Sequence, residues 1–154
     1  MEVSRGPNHS SLSTGTLGAV LVALTESGQF GPVVVGPTGL EAQATREGAF
    51  YRLTAEADGL FVGLVTADRW LSQSIEQQLV ISGDKLEDLL EEELIDLDAP
   101  LTRLKVEHFR DDAKLFTFRS RLPSDLSAES IARIVRGYEA CFRRLGDMEG
   151  GADE

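Results

Sequence analysis

Residues 84 to 98 read DKLEDLLEEELIDLD, in which eight of fifteen side chains are carboxylates and only Lys85 is basic. Such density invites a cation site. A calcium loop, however, needs acids at alternate positions around a glycine that permits a sharp turn. This stretch has no glycine, and five leucines interrupt the acids at helical spacing. A carboxylate-bridged di-iron site needs Glu-x-x-His pairs on facing helices, and zinc needs several Cys or His ligands. The chain offers only His9, His108 and Cys141, so no metal or other cofactor is expected.

Nucleophilic chemistry has two candidates. His108 could act as a general base, and Cys141, with Arg144 three residues on, could carry a thiol of lowered pKa. No Ser or Cys stands near His108 in a recognised motif, and the chain has no G-x-G-x-x-G, P-loop or G-x-S-x-G. The plainer readings are a histidine on a sheet surface and a small residue beside a core. The glycine-rich GPVVVGPTG (31–39) lacks both the Lys-Ser/Thr ending and the following helix that cradle phosphate. Arg103, Lys105, Arg110, Lys114, Arg119 and Arg121 surround Phe109, Phe116 and Phe118, a mix that binds single-stranded nucleic acid on some sheets. Phe116 and Phe118 share one parity, which reads instead as a core face against the last helix. Trp70, in the polar neighbourhood ADRWLSQS, is either a core anchor or a contact for a partner, since tryptophan is enriched at interface hot spots.

The whole chain bounds these options. At 154 residues and 16.7 kDa, with 42% hydrophobic and 27% charged residues, it can bury one core without disulfides or metals. A net charge of −11 and a pI near 4.6 repel nucleic acid and anionic lipid. The charge is uneven: residues 1–100 hold five basic and sixteen acidic side chains, and residues 101–145 ten basic and six acidic. The two halves could therefore pair, within one molecule or across a dimer. One cysteine, no basic-then-apolar leader and no run of about 18 apolar residues lead to the expectation of a soluble cytoplasmic protein.

The elements that must position these residues follow from pattern. Leu17, Val20, Leu21 and Leu24 recur at helical spacing from Ser13 to Ser27, with Ser13 or Thr14 as N-cap and Gly28 past the end. Residues 30–39 read as a connection with a short extended piece. A three-stranded meander follows from Leu40, turning at Glu47-Gly48 and at Asp58-Gly59, and its last strand LFVGLVT (60–66) is apolar on both faces. Leu71, Ile75 and Leu79 predict a helix within 68–82, with Gly83 after it. In 84–98, Leu86, Leu89, Leu90, Leu94 and Leu97 fall within about 140° of a helical wheel while Ile95 faces away. The acids then keep the outer side wet, and the leucines are where the sheet or a partner should be sought. Pro100 stops this segment. Residues 103–110 and 114–121 predict a hairpin about Asp111-Asp112-Ala113. Ile131, Ile134, Val135, Tyr138, Phe142 and Leu145 predict a helix over 127–146, with Ser127 as N-cap, Gly146 as the terminating residue and Gly137 inside it.

The expected order is α-β-β-β-α-β-β-α: an α+β domain over 13–145 with an antiparallel sheet of about five strands, between a flexible N-terminus (1–12) and a flexible acidic tail (146–154). That order, with HFRDDAKLFTFRSRLPSDLSAESIARIVRGYEACFRRL (108–145) as the hairpin, Leu-Pro and capped amphipathic helix, resembles type III secretion chaperone-like and YbjN-type domains. The resemblance spans roughly residues 13 to 145. It implies a small acidic cytoplasmic homodimer that presents apolar surface to a client protein and catalyses nothing. Contacts with the second copy or the client are expected at Trp70, Leu86, Leu89, Leu90, Leu94 and Leu97. The alternative is a small-molecule-binding domain or an enzyme using His108 or Cys141.

Overall fold

A computed structural model describes residues 14–36, 39–44, 49–56, 59–83, 85–99, 104–110, 114–123 and 126–152. Among these the order is α1 (Thr14–Ser27), β1 (Val33–Val35), β2 (Gly39–Gln43), β3 (Ala49–Glu56), β4 (Gly59–Thr66), α2 (Arg69–Ser82), α3 (Leu86–Asp96), β5 (Glu107–Arg110), β6 (Phe116–Arg121) and α4 (Ala128–Ala152). The strands form one open antiparallel sheet in the order β1-β2-β3-β4-β6-β5. The expected α+β class and element order hold. The sixth strand is β1, the three valines between Pro32 and Gly36, which add to the edge of β2. Their β-branched side chains suit a pleated strand, and the flanking Pro and Gly keep it short.

Local signals end the helices where expected. Gly28 and Gly83 take left-handed φ values of 72° and 76°, the conformation that glycine adopts after a helix without a Cβ clash. Asp68 Oδ1 accepts from the N–H groups of Trp70 (2.9 Å) and Leu71 (3.4 Å) to cap α2, and Ser127 Oγ accepts from Ser130 N–H (3.1 Å) to cap α4. Helix α4 runs on through Gly146 to Ala152, so Gly146 does not terminate it. Gly59 begins β4 and pairs with Glu56, so it is a strand residue and not the second residue of the turn expected at Asp58-Gly59. The proposed turns at 47–48 and 111–113, the Ser13 cap and the Pro100 stop lie outside the described residues.

All four helices lie on one face of the sheet. Ile131, Ile134, Val135, Tyr138, Cys141 and Phe142 of α4 are buried against Tyr51, Leu53, Val62, Leu64 and Phe118 of the strands. Helices α1, α2 and α3 pack around α4 in turn. On α3, Leu86, Leu89, Leu90 and Leu94 are buried and Ile95 is 56% exposed, the division that the helical wheel predicts. The partner is α4, not the sheet: a Cβ on Gly137 would stand 2.6 Å from Leu94 Cδ2. Four buried leucines contribute roughly 6–12 kcal/mol, an upper bound before entropy. Repulsion between carboxylates one turn apart costs only a few tenths of a kcal/mol per pair, so docking decides that α3 is a helix.

Candidate functional site

His108 stands on edge strand β5, and its ring stacks on Phe118 of β6 at 3.8 Å between centroids and 10° between planes. Two residues one turn apart on α2 complete the cluster. Nδ1 lies 2.7 Å from Glu76 Oε2 and Nε2 lies 3.3 Å from Ser72 Oγ. Nδ1–H donating to the carboxylate leaves Nε2 to accept from the serine hydroxyl, the neutral tautomer. Burial pushes the imidazole below the ordinary histidine range, and the Glu76 carboxylate opposes that shift. Neither Ser72 nor Glu76 was a candidate in the sequence, because 36 residues separate Ser72 from His108 and no motif has that spacing.

Serine, imidazole and carboxylate in this sequence of contacts can perform acyl transfer when the hydroxyl is reachable and N–H donors await the oxyanion. Here Ser72 is 2% exposed, and its own N–H donates to Asp68 O at 3.2 Å. The preceding N–H groups, of Trp70 and Leu71, are used by the Asp68 cap. As arranged, the trio is a clasp that ties α2 to the edge of the sheet.

Cys141 is 2% exposed on the core side of α4, which removes it from any reagent in the folded chain. The Arg144 side chain lies outside the described residues. A few residues from Cys141, Glu139 is a carboxylate at 1% exposure. It accepts from Gln29 Nε2 (2.7 Å), and Arg143 Nε is 3.4 Å away. Gln29 Oε1 in turn accepts from Arg136 Nε at 2.6 Å. This network pins the connection after α1 to α4. Burial and the nearby Glu139 push the Tyr51 phenol well up.

The other face of the sheet has no helix over it among the described residues. Successive cross-strand partners place Val34, Glu41, Arg52, Gly63, Arg119 and Glu107 in one row, and Gln43, Phe50, Val65, Thr117 and Phe109 in the next. Arg119 crosses the middle. Its guanidinium lies 4.0 Å from the Phe61 ring centroid and 5.3 Å from that of Phe109. It also reaches Glu56 Oε2 (3.0 Å) and Glu107 Oε1 (3.4 Å), while Arg52 pairs with Glu41 at 2.6 Å. Gly63 makes room for this, because a Cβ there would stand 2.8 Å from both Arg119 Cβ and Phe118 O. A groove of about 180 Å³ results, floored by Phe61, Val65 and Thr117 and walled by Arg52, Glu56 and Phe109.

The residues expected to make contacts therefore separate. Leu86, Leu89, Leu90 and Leu94 are consumed by the chain's own core, and Leu97, at the end of α3, is half-buried. Trp70 is 75% exposed, which overturns the core-anchor reading. Asp68 caps the helix and Leu71, Ser72 and Ile75 face inward, so Trp70 is turned out on the first turn. Ile81, 71% exposed, lies eleven residues on and about 20° around the helix from it, with Val80 beside it at 80% exposure. No helix is long and apolar enough to cross a membrane among the described residues, and none of their His, Cys, Asp and Glu side chains group as a metal site. Comparison of the chain with protein-family models, with curated proteins and with solved structures finds no match.

Proposed function

We propose that this chain is a non-catalytic protein-binding domain of the secretion-chaperone-like kind, a cytoplasmic homodimer that offers apolar surface to a partner protein. One observation carries the reading. After the core is complete, large apolar side chains remain exposed, among them Val34 and Phe109 on opposite edge strands of the open sheet face and Trp70, Val80 and Ile81 on α2. Trp70 and Ile81, on one side of α2 with Val80 beside them, offer apolar area of the kind that a partner covers. Two separate surfaces suit a protein that must hold both a second copy and a client.

The competing reading is an enzyme or small-molecule binder using His108, and it draws on the Ser72–His108–Glu76 geometry. Burial of the serine hydroxyl favours the clasp. Light scattering on the purified chain, paired with capture of binding proteins from a lysate before and after Trp70→Ala, separates the two. A dimer that holds a protein through Trp70 is the expected result. A monomer that binds no protein and instead turns over an activated ester, with loss of turnover on Ser72→Ala, sinks the proposal.

A further inference from the structure

We infer that the second copy of the chain docks on the open face of the sheet, leaving the α2 surface for a different protein. This rests on the dimeric reading above and assigns its surface. Charge is the first argument. Among the described strand residues, Glu41, Glu56 and Glu107 share that face with Arg52, Arg119 and Arg121, a balance of three against three, in a chain whose net charge is −11. The helical side is the opposite case. Even with Arg133, Arg136 and Arg143 of α4 counted beside Arg69 and Lys85, the acids of α2, α3 and α4 outnumber the bases, so two such surfaces repel each other. The sheet face is where two copies approach without that cost.

Size is the second argument. With strands about 4.8 Å apart and about 3.3 Å per residue, six strands make a face of roughly 25 by 20 Å. That is the same order as the roughly 800 Å² per partner of a standard interface. Two twisted sheets pack face to face at about 10 Å with strands some 30° apart. A twofold contact of this kind is self-complementary: Phe109 and Val34, the exposed apolar groups of the face, meet the other copy, and the groove over Phe61 and Val65 receives one of its side chains. The Arg52–Glu41 and Arg119–Glu56–Glu107 pairs lie between Val34 and Phe109, across the middle of the face, where they meet their twofold equivalents.

Val34→Glu and Phe109→Glu test this, because the two side chains are 64% and 38% exposed and neither belongs to the intrachain core. Sedimentation equilibrium across micromolar to millimolar concentration should show each variant weakening dimerisation by about tenfold or more, as burying an unpaired carboxylate demands. Trp70→Glu, on the helical side, should leave it unchanged. Should either variant unfold, hydroxyl-radical footprinting of the unaltered chain replaces it: Phe109 should be protected as concentration rises and Trp70 should not. A wild-type chain that stays monomeric overturns the dimeric reading itself. A dimer indifferent to both sheet variants, or one that Trp70→Glu dissociates, overturns only this placement.

Discussion

His108 shows how much a single residue's role depends on its surroundings. Its pKa is lowered, by burial first, with Glu76 acting against the shift. The unfolded chain therefore binds the proton more readily than the folded one. Stability contributed by the neutral ring is present above the unfolded pKa of about 6.5 and is lost as pH falls through that value toward the lower folded pKa. An NMR titration in a His9→Gln background should place the His108 midpoint below 6.5, and Glu76→Gln should lower it further by removing the one opposing charge. A midpoint that rises in Glu76→Gln would mean that the carboxylate does not face the ring in solution. A flat stability profile between pH 7 and pH 5.5 in His108→Gln, against a falling one in the wild type, would attribute that slope to this side chain.

At the scale of elements, the contact of α3 with α4 makes a sharper demand. Gly137 interrupts a 25-residue helix, where alanine would ordinarily add about 1 kcal/mol. The close approach of Leu94, itself 1% exposed, forbids that gain. Gly137→Ala should destabilise by about 1–2 kcal/mol as overpacking outweighs propensity, read from the denaturant midpoint. In a Leu94→Ala background, which itself costs about 2–5 kcal/mol, the same change should turn stabilising by roughly 1 kcal/mol. Additive effects would mean that the two helices do not meet at this point. Similar logic explains the short β5. The Val106 N–H donates to Glu87 Oε2 of α3 at 3.0 Å, so the backbone is engaged by a helix one residue before the ladder with β6 begins. Glu87 of the carboxylate run thus has a structural task.

For the whole molecule, the charge of −11 opposes both compactness and association, and salt relieves it. Raising ionic strength from about 0.01 M to about 0.15 M shortens the screening length from about 30 Å to about 8 Å. The thermal midpoint at fixed protein concentration should rise by about 2–4 °C, the shift that about 1 kcal/mol produces in a chain of this length. A fall would mean that the Arg–Glu pairs of the sheet face outweigh the global repulsion, contrary to the small value of exposed ion pairs.

Much of this architecture is legible in the residues themselves. Leucine spacing identifies α3 and its inward face, Gly28 and Gly83 mark helix ends, Ser127 caps α4, and the two-sided apolar strand at 60–66 is the central one. Each of these depends on neighbours within a few positions, and local sterics and periodicity suffice to determine them. The valines of β1 by themselves suggest only a short extended piece, because three residues form a strand only where β2 offers an edge. Three further matters were settled by tertiary packing alone: that α3 lies on α4 instead of the sheet, that Trp70 faces water, and that Ser72 and Glu76 meet His108. A pattern tells which side of an element must be covered but not by what, since the cover comes from residues distant in the chain whose approach depends on register and crossing. The face of the sheet that no described helix covers follows from the same cause: β4 is apolar on both sides in sequence, and the placement of all four helices on one side leaves Phe61, Val65 and Phe109 on the other.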